Sequence, residues 1–543
     1  MRQVFRRPAT SATPTDKGSL SIVKRRSIFA CCFGMAVALG GAPAFAGDWP
    51  QWGGSDGRNM VSDEKPLPDS FVPGERTSAA PGIDLATTKN VKWVARLGNY
   101  AYGNPTVAGG RVFVGTDCQT LSPAARNASN GCGMVKCLDE ATGKLLWQLV
   151  TPKRIDLAPG TYFNHQDLGT CSSPTVDGDR VYVVTSGDEV VCLDVHGQPP
   201  KAGSVADAPP ADAKVIWRYD LIDELRVSPH DSASCSVLIH GDVLYVGTSN
   251  GVDKSHERIV SPDAPALVAL DKRTGRLLAT ENEKICTRLF HCQWSSPSLG
   301  KVGDKDLLFF GGADGVCYAF ETLDAIPEKP VYLKKVWSYD CNPPSYKFRN
   351  GKPIHYTDGD KRRRLTPNKD DGLYVGPSEI IATPVFHNNR VYVAIGQDPM
   401  HGRGRGMLHC IDATKTGDVT ETGRIWSYDG MDRTIASATI ADGLVYVPDI
   451  AGRVHCLDAD SGKCYWVYAT GGQVWGSILA ADGKLYFGDK GEFLVMTAGK
   501  EAKVLSRVQL GSAMYTTPIV ANGVLYVASQ QYLWAVQGRR EKD

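Results

Sequence analysis

The chain has 543 residues, with 60 Lys and Arg against 59 Asp and Glu, and 42% of its residues are hydrophobic. The near-neutral charge excludes the strongly basic surface that is typical of nucleic-acid-binding proteins. Beyond the N-terminus no run of eighteen apolar residues occurs, so no membrane-spanning helix is predicted in the mature chain.

Residues 1–46 have the pattern of a signal peptide. Lys24, Arg25 and Arg26 precede a weakly apolar run at 28–41, and Ala44-Phe45-Ala46 offers small residues for cleavage before Gly47. The sequence from Arg25 to Phe29 also fits a twin-arginine signal, with ordinary secretion as the alternative. Cleavage leaves 53 Lys and Arg against 58 Asp and Glu, a charge of −5. We expect an exported protein of the periplasm or cell envelope.

A short irregular segment at 47–90 is followed by a sequence motif that recurs eight times. In this motif an aromatic residue stands between apolar residues, usually just after a Gly-containing turn. The last two intervals are 40 residues each, and the earlier ones are this unit plus insertions. Four short strands in 40 residues indicate a propeller blade. The repeated aromatics are Phe113, Tyr182, Tyr245, Phe309, Tyr392, Tyr446, Tyr486 and Tyr526.

The ring closure can be counted from the outer strands. Eight second strands are present, but only seven outer strands follow them, and the missing one matches VKWVARL at 91–97. We therefore predict an all-β fold: one eight-bladed β-propeller over 91–537, with four-stranded antiparallel blades and a ring closed by an N-terminal strand. Separate β-sandwich domains are the alternative. Residues 538–543 form a polar tail.

Thirteen cysteines remain after cleavage, and export permits disulfides. Plausible pairs are Cys118 with Cys132, Cys286 with Cys292, and Cys456 with Cys464. His165, His230 and His291 lie in loops before first strands, where we expect them to make loop hydrogen bonds. No metal site is predicted, and no nucleophile motif identifies a catalytic residue.

The long connections fall mostly on one face of the predicted ring, over blades one to five. Long loops on a rigid scaffold commonly carry function, so this looped face is the predicted binding surface, with 341–379 as a candidate lid. Aromatic residues with one carboxylate lie at the entrances to the first strands, where they suit a flat apolar ligand or a peptide, or act as channel plugs. These funnel candidates are Tyr102, Trp294, Glu379, Trp475 and Tyr515.

The phrase Leu-Asp-x-x-Thr-Gly-Lys-x-x-Trp at 138–147 resembles the tryptophan-docking repeat of pyrroloquinoline quinone (PQQ) propellers, and 457–466 gives a second version. The opening Asp48-Trp49-Pro50-Gln51-Trp52-Gly53 is similar to mature starts of exported proteins of this family. The resemblance covers essentially all of 47–537. It implies that the repeated tryptophans dock one blade onto the next: Trp93, Trp147, Trp217, Trp337, Trp426 and Trp466.

The family contains two functional classes. Quinoprotein dehydrogenases hold PQQ and a Ca²⁺ ion bound by Glu, Asn and Asp, commonly beside two adjacent disulfide-bonded cysteines. Here the adjacent pair Cys31-Cys32 lies in the signal segment, and Glu379, Asn250 and Asp253 have suitable chemistry but no diagnostic spacing. The other class resembles BamB of the outer-membrane β-barrel assembly machine, which binds proteins and no quinone.

The leading prediction is therefore a non-catalytic, BamB-like scaffold of the cell envelope, without a cofactor. It would bind a protein or an envelope ligand through the looped face of blades one to five, as a monomeric propeller. The alternative is a PQQ- and Ca²⁺-dependent alcohol or sugar dehydrogenase.

Overall fold

Eight four-stranded antiparallel blades form a ring in the computed structural model, which describes residues 47–79, 82–122, 131–163, 168–199, 211–354 and 373–538. The predicted fold class is confirmed. The predicted signal segment, His165, most of the predicted polar tail and residues 355–372 of the candidate lid lie outside the described residues. No helix in the described ranges is both long and apolar enough to cross a membrane.

Within each blade the strands are given from the channel outward, which is also their order in the chain except for the outer strand of blade eight. The strands are Thr106–Ala108, Arg111–Asp117, Cys132–Asp139 and Leu145–Pro152 in blade one; Thr175–Asp177, Arg180–Val184, Glu189–Asp194 and Val215–Asp220 in blade two; Leu238–His240, Val243–Gly247, Leu267–Asp271 and Leu277–Thr280 in blade three; and Ser298–Val302, Lys305–Gly311, Val316–Glu321 and Lys335–Asp340 in blade four. The later blades comprise Val385–His387, Arg390–Ile395, Met407–Asp412 and Arg424–Tyr428 in blade five; Thr439–Ala441, Leu444–Asp449, Arg453–Asp458 and Cys464–Ala469 in blade six; Leu479–Ala481, Lys484–Gly488, Glu492–Thr497 and Val504–Gln509 in blade seven; and Ile519–Ala521, Val524–Ala528, Tyr532–Val536 and the N-terminal Val91–Arg96 in blade eight.

The N-terminal strand closes the ring as predicted. Val91–Arg96 pairs antiparallel with Tyr532–Val536, so the outer strand of blade eight comes from the start of the propeller. Short two-residue strands cover three of the outer edges: Ala211–Asp212 pairs with blade one, Val331–Tyr332 with blade three and Gly417–Asp418 with blade four. Covered edges reduce the risk of edge-to-edge aggregation.

The remaining elements are short and lie in connections. The helices are Leu221–Leu225 and Pro344–Lys347, and the 3₁₀ turns are Leu85–Thr87, Ile285–Thr287 and Pro399–His401. The other two-residue strands are Val61–Ser62, Glu75–Arg76, Ile83–Asp84, Tyr162–Phe163, His230–Asp231, Phe348–Arg349 and Lys352–Pro353.

The repeated tryptophans occupy one equivalent position between blades. The Trp147 indole Nε1 donates to the Val195 carbonyl of blade two at 3.0 Å, and its ring packs against Phe113 of its own blade. Gly197 of the next blade lies so close that a Cβ there would be 2.6 Å from the indole. The same donation to a carbonyl in the next blade is made by Trp93, Trp217, Trp337, Trp426 and Trp466.

The cysteines divide into one bridge and a set of buried thiols. Cys118 and Cys132 form the predicted disulfide, with Cα atoms 5.5 Å apart. The other two proposed pairs were wrong, because Cys286, Cys292, Cys456 and Cys464 are free. Cys292 Sγ lies 3.1 Å from the Ser249 carbonyl and Cys456 packs in the core between blades, so these thiols fill small buried sites.

His409 in blade five is a buried histidine that burial keeps neutral. Its Nε2 lies 2.9 Å from the Cys341 carbonyl, which can only accept, and its Nδ1 lies 3.1 Å from the hydroxyls of Tyr339 and Ser427. Burial lowers the pKa of His409 from 6.5 to about 4. The unfolded state therefore binds a proton first as the pH falls.

We expect His409 to lower the free energy of unfolding in mild acid. Because the folded-state pKa lies below the unfolded value, stability is complete above pH 6.5 and is lost as the pH falls, by about 2 kcal/mol between pH 7 and pH 5. Urea unfolding gives the free energy of unfolding of wild type and His409→Gln at pH 7 and pH 5. Wild type should lose more of this free energy between the two pH values than His409→Gln does. Equal losses in the two proteins would contradict the prediction.

Candidate functional site

The main site is a cavity of about 440 Å³ in the centre of the ring. Its walls come from the residues immediately before the first strands and from loops of the looped face. Because first strands run from that face toward the tight turns between first and second strands, the cavity opens on the looped face. This central cavity therefore lies on the predicted binding face.

A belt of hydrogen bonds joins the inner walls below the cavity mouth. Each blade contributes one residue to the belt, and in seven cases its backbone N–H donates to the side-chain oxygen of the belt residue in the next blade. In six of these hydrogen bonds the N···O distance is 2.8–3.2 Å. The seventh joins Thr517 to Asn104 and closes the circle. Between Ser296 and Thr383, the Trp52 indole donates to Thr383 Oγ1 at 3.0 Å. The belt residues are Asn104, Ser173, Ser236, Ser296, Thr383, Ser437, Ser477 and Thr517.

The N-terminal segment 47–64 closes the opposite end of the channel. It hydrogen-bonds to all eight blades in turn, through Val107, Val176, Val237, Leu299, Phe386, Ile440, Ala480 and Gly523. Trp52 of this floor segment lines the cavity. The channel is therefore a cup with a floor rather than an open pore.

Arg58 anchors the floor segment and is fully buried. Its guanidinium donates to the carbonyls of Val237 at 2.9 Å, Pro297 at 3.0 Å and Trp52, and to Gln51 Oε1 at 3.0 Å. Burial lowers its pKa to about 10, so it is still charged at neutral pH.

One wall of the cup is a stack of three aromatic rings from blades one, seven and eight. The ring centroids of Trp475 and Tyr515 are 4.0 Å apart, and those of Tyr102 and Tyr515 are 5.6 Å apart with nearly parallel planes. Burial raises the pKa of Tyr102 and of Tyr515. Trp294 lies on the blade-four side, with its indole donating to the Ser232 carbonyl at 2.8 Å.

Four of the five funnel candidates thus line the cavity, and Glu379 does not. Glu379 is fully buried, and its carbonyl accepts from Gly396 at 2.9 Å. Ile381, two residues later, takes its place in the wall. Burial raises the pKa of the cavity thiol Cys171 to about 12, so it is not an activated nucleophile.

The other wall holds four histidines from four separate loops, which sequence reasoning did not bring together. His230 and His291 are fully buried, whereas His256 and His401 line the cavity. Two overlapping groups have ligand atoms within 4.8 Å of one another: His230, His256 and His291, and His291, Asp398 and His401. This histidine cluster, with Asp398, could hold a metal ion.

Local backbone geometry fixes these side chains. Asp231 and His256 both adopt left-handed conformations, with φ of 55° and 64°, and non-glycine residues in this region often mark functional sites. The Asp398 carboxylate caps the turn Pro399–His401 by accepting from Met400 N at 2.8 Å. His256 and His401 had no sequence signal except their position in long loops of blades three and five.

Two of the three residues considered for a quinoprotein-type Ca²⁺ site, Asn250 and Asp253, are held in contacts within and between loops. Asn250 Oδ1 accepts from Ser228 N at 2.9 Å, and its Nδ2 donates to the Ser261 carbonyl. Both oxygens of Asp253 are used within its own loop, including an ion pair with Arg258 at 3.0 Å. Both groups serve their loops, so we derive no chemistry through PQQ.

Comparisons with known proteins agree with the fold. A family model described as outer membrane protein assembly factor BamB matches residues 131–199 and 405–540. No curated protein sequence matches the chain.

Similar solved structures include two enzymes and an assembly factor. A europium-containing methanol dehydrogenase is 14% identical, with 89% of each chain covered and a TM-score of 0.52. BamB from Moraxella catarrhalis is 15% identical, covering 83% of this chain and 98% of that one, with a TM-score of 0.47. The quinohemoprotein alcohol dehydrogenase from Comamonas testosteroni is 12% identical, covering 92% and 82%, with a TM-score of 0.41. At these identities the likeness shows the fold alone.

Proposed function

We propose that this eight-bladed β-propeller, of which residues 131–199 and 405–540 match the BamB family model, is an exported, non-catalytic binding protein of the cell envelope that holds a small ligand in its central cup. The observation that carries the proposal is the closed floor beneath a cavity of about 440 Å³ on the looped face. Export is supported by the sequence of residues 1–46 and by the Cys118–Cys132 disulfide, which suits an oxidising compartment.

The shape and chemistry of the cup favour a flat molecule with a polar group. A volume of a few hundred Å³ is the usual size for a small-molecule site. The stacked rings of Tyr102, Trp475 and Tyr515 offer an apolar wall, and hydroxyls of Ser232, Ser234 and Ser236 line another part of the cavity. Aromatic walls with a few fixed polar groups are typical of such sites.

Two other roles are the alternatives to this proposal. The family model named for an assembly factor supports a partner protein on the looped face, and the fold shared with a methanol dehydrogenase supports the PQQ-dependent alternative. Our proposal differs from the first in placing the ligand inside the cup and from the second in being non-catalytic.

The test is calorimetric titration of the EDTA-treated mature chain with 2-naphthol, a flat probe with one hydroxyl. We expect saturable binding that Ser234→Phe weakens by about tenfold or more, because Ser234 lines the cavity and a phenyl ring would occupy it. Ser78→Phe, at an exposed position outside the cavity, is the matched control and should bind like wild type.

Two results would overturn the proposal. Binding of 2-naphthol that is absent, or equal in wild type and Ser234→Phe, would contradict a ligand site in the cup. Stoichiometric binding of PQQ with Ca²⁺, together with alcohol- or sugar-dependent dye reduction, would establish the dehydrogenase alternative instead.

A further inference from the structure

We propose that His230, His256, His291 and His401 bind a divalent transition-metal ion of the zinc or copper class at the wall of the cup. The proposal goes beyond the ligand-binding function and does not depend on it. It rests on the convergence of four imidazoles from four different loops of blades two to five.

The four rings lie directly against one another. The His230 centroid is 4.6 Å from that of His256 and 4.5 Å from that of His291, and His401 is 4.9 Å from His291. Two other buried histidines of the described residues, His409 and His455, have different surroundings. His409 lies against a carbonyl and two hydroxyls, and His455 lies 3.0 Å from the Asp449 carboxylate.

Backbone carbonyls set the tautomer of two members. His230 Nδ1 is 2.7 Å from the Val252 carbonyl, and His256 Nδ1 is 3.1 Å from the Lys254 carbonyl. A carbonyl only accepts, so Nδ1 carries the proton and Nε2 the lone pair in each neutral ring. A second nitrogen anchored in this way is the usual support of a metal-binding histidine.

The spacing suits a single ion with small ring movements. Nitrogens bound to zinc at 2.0–2.1 Å lie roughly 3.4 Å apart in a tetrahedral site. The ligand atoms of each overlapping group already lie within 4.8 Å of one another. His291 belongs to both groups, so the ion would sit beside it, with Asp398 as a further ligand.

The charges favour a dication. Two carboxylates border the rings: Asp231 lies 3.7 Å from His230, and Asp398 lies 3.5 Å from His401. A bound dication would be attracted to both of these negative charges. Imidazole-rich sets select zinc, copper or nickel, whereas Ca²⁺ and Mg²⁺ require oxygen ligands.

The site borders the cavity rather than being sealed in the core. His256, His401 and Asp398 line the cup, while His230 and His291 are fully buried behind them. A bound ion would therefore have protein ligands on one side and the cavity on the other.

The test uses the untagged mature chain after EDTA treatment and dialysis. Titration with Zn²⁺ should give one equivalent bound per chain, and Cu²⁺ should give an electron paramagnetic resonance spectrum with nitrogen hyperfine splitting from imidazoles. Ca²⁺ should not compete. Far-UV circular dichroism and thermal unfolding verify the fold of each variant.

Two ligand variants and one control locate the ion. His291→Asn and His401→Asn should each weaken Zn²⁺ binding by roughly 100-fold or more, since loss of a mere supporting partner already costs 10- to 100-fold. His240→Asn, at a partly exposed histidine outside the cluster, should bind like wild type. The proposal is overturned by sub-stoichiometric Zn²⁺ binding, by a Cu²⁺ spectrum without nitrogen splitting, or by folded variants that bind normally. Since no organic ligand is used, this test can fail while the cup proposal stands.

Discussion

Replacement of Arg58 by alanine should lower the free energy of unfolding by about 4 kcal/mol. The substitution leaves the carbonyls of Pro297 and Trp52 without their Arg58 donor, and each unsatisfied buried acceptor costs about 1–3 kcal/mol. The Val237 carbonyl loses one of its two donors and keeps the Thr175 hydroxyl at 3.0 Å. It also leaves a cavity beneath the floor segment. The measurement is chemical unfolding of the mature chain followed by tryptophan fluorescence.

Two further variants separate charge from geometry. Arg58→Lys keeps the positive charge but cannot supply the planar set of donors, so we expect an intermediate loss. Arg273→Ala, at a side chain that is 65% exposed, should be close to neutral. An Arg58→Ala variant as stable as Arg273→Ala would show that the floor segment is not anchored by this residue.

Replacement of Trp147 should have an effect of similar size. Trp147 is 1% exposed, so Trp147→Ala is expected to cost about 4 kcal/mol through lost burial and a cavity between blades one and two. Trp147→Phe keeps most of the ring but leaves the Val195 carbonyl without its donor, and should cost about 1–3 kcal/mol.

A second docking tryptophan supplies the comparison. Trp466 makes the equivalent bond to Gly499 at 3.0 Å but is only partly buried, so water can replace the indole there. Trp466→Phe should therefore cost less than Trp147→Phe in the same urea titration. Equal losses for the two phenylalanine variants would contradict a role for burial in the docking bond.

The blades could be predicted because their signals are local. The apolar-aromatic-apolar phrase and the tight turns lie within one 40-residue unit, and the count of outer strands identified Val91–Arg96 as the closing strand. Four of the five funnel residues could also be placed, since they directly precede first strands whose positions follow from the repeat.

The parts that escaped prediction depend on contacts between distant segments. The floor segment was predicted only as an irregular segment, because its hydrogen-bond partners are distant in sequence. Gly523, for example, lies 459 residues from its partner Glu64. Glu379 was assigned to the funnel in error. Successive side chains of an extended segment point in opposite directions, so a shift of one residue decides whether a side chain faces the channel or the interior. The histidine cluster joins four loops, so no spacing in the chain indicated it.

The floor segment has a consequence for how the ring comes apart. Repeat proteins usually couple only neighbouring units, so that single repeats can unfold from an end. Here residues 47–64 hydrogen-bond to every blade, and the complete set of these contacts can form only once all eight blades surround them. Unfolding of any one blade would therefore disturb a segment that also contacts the other seven, and we expect the propeller to unfold as a single cooperative unit in spite of its repeats.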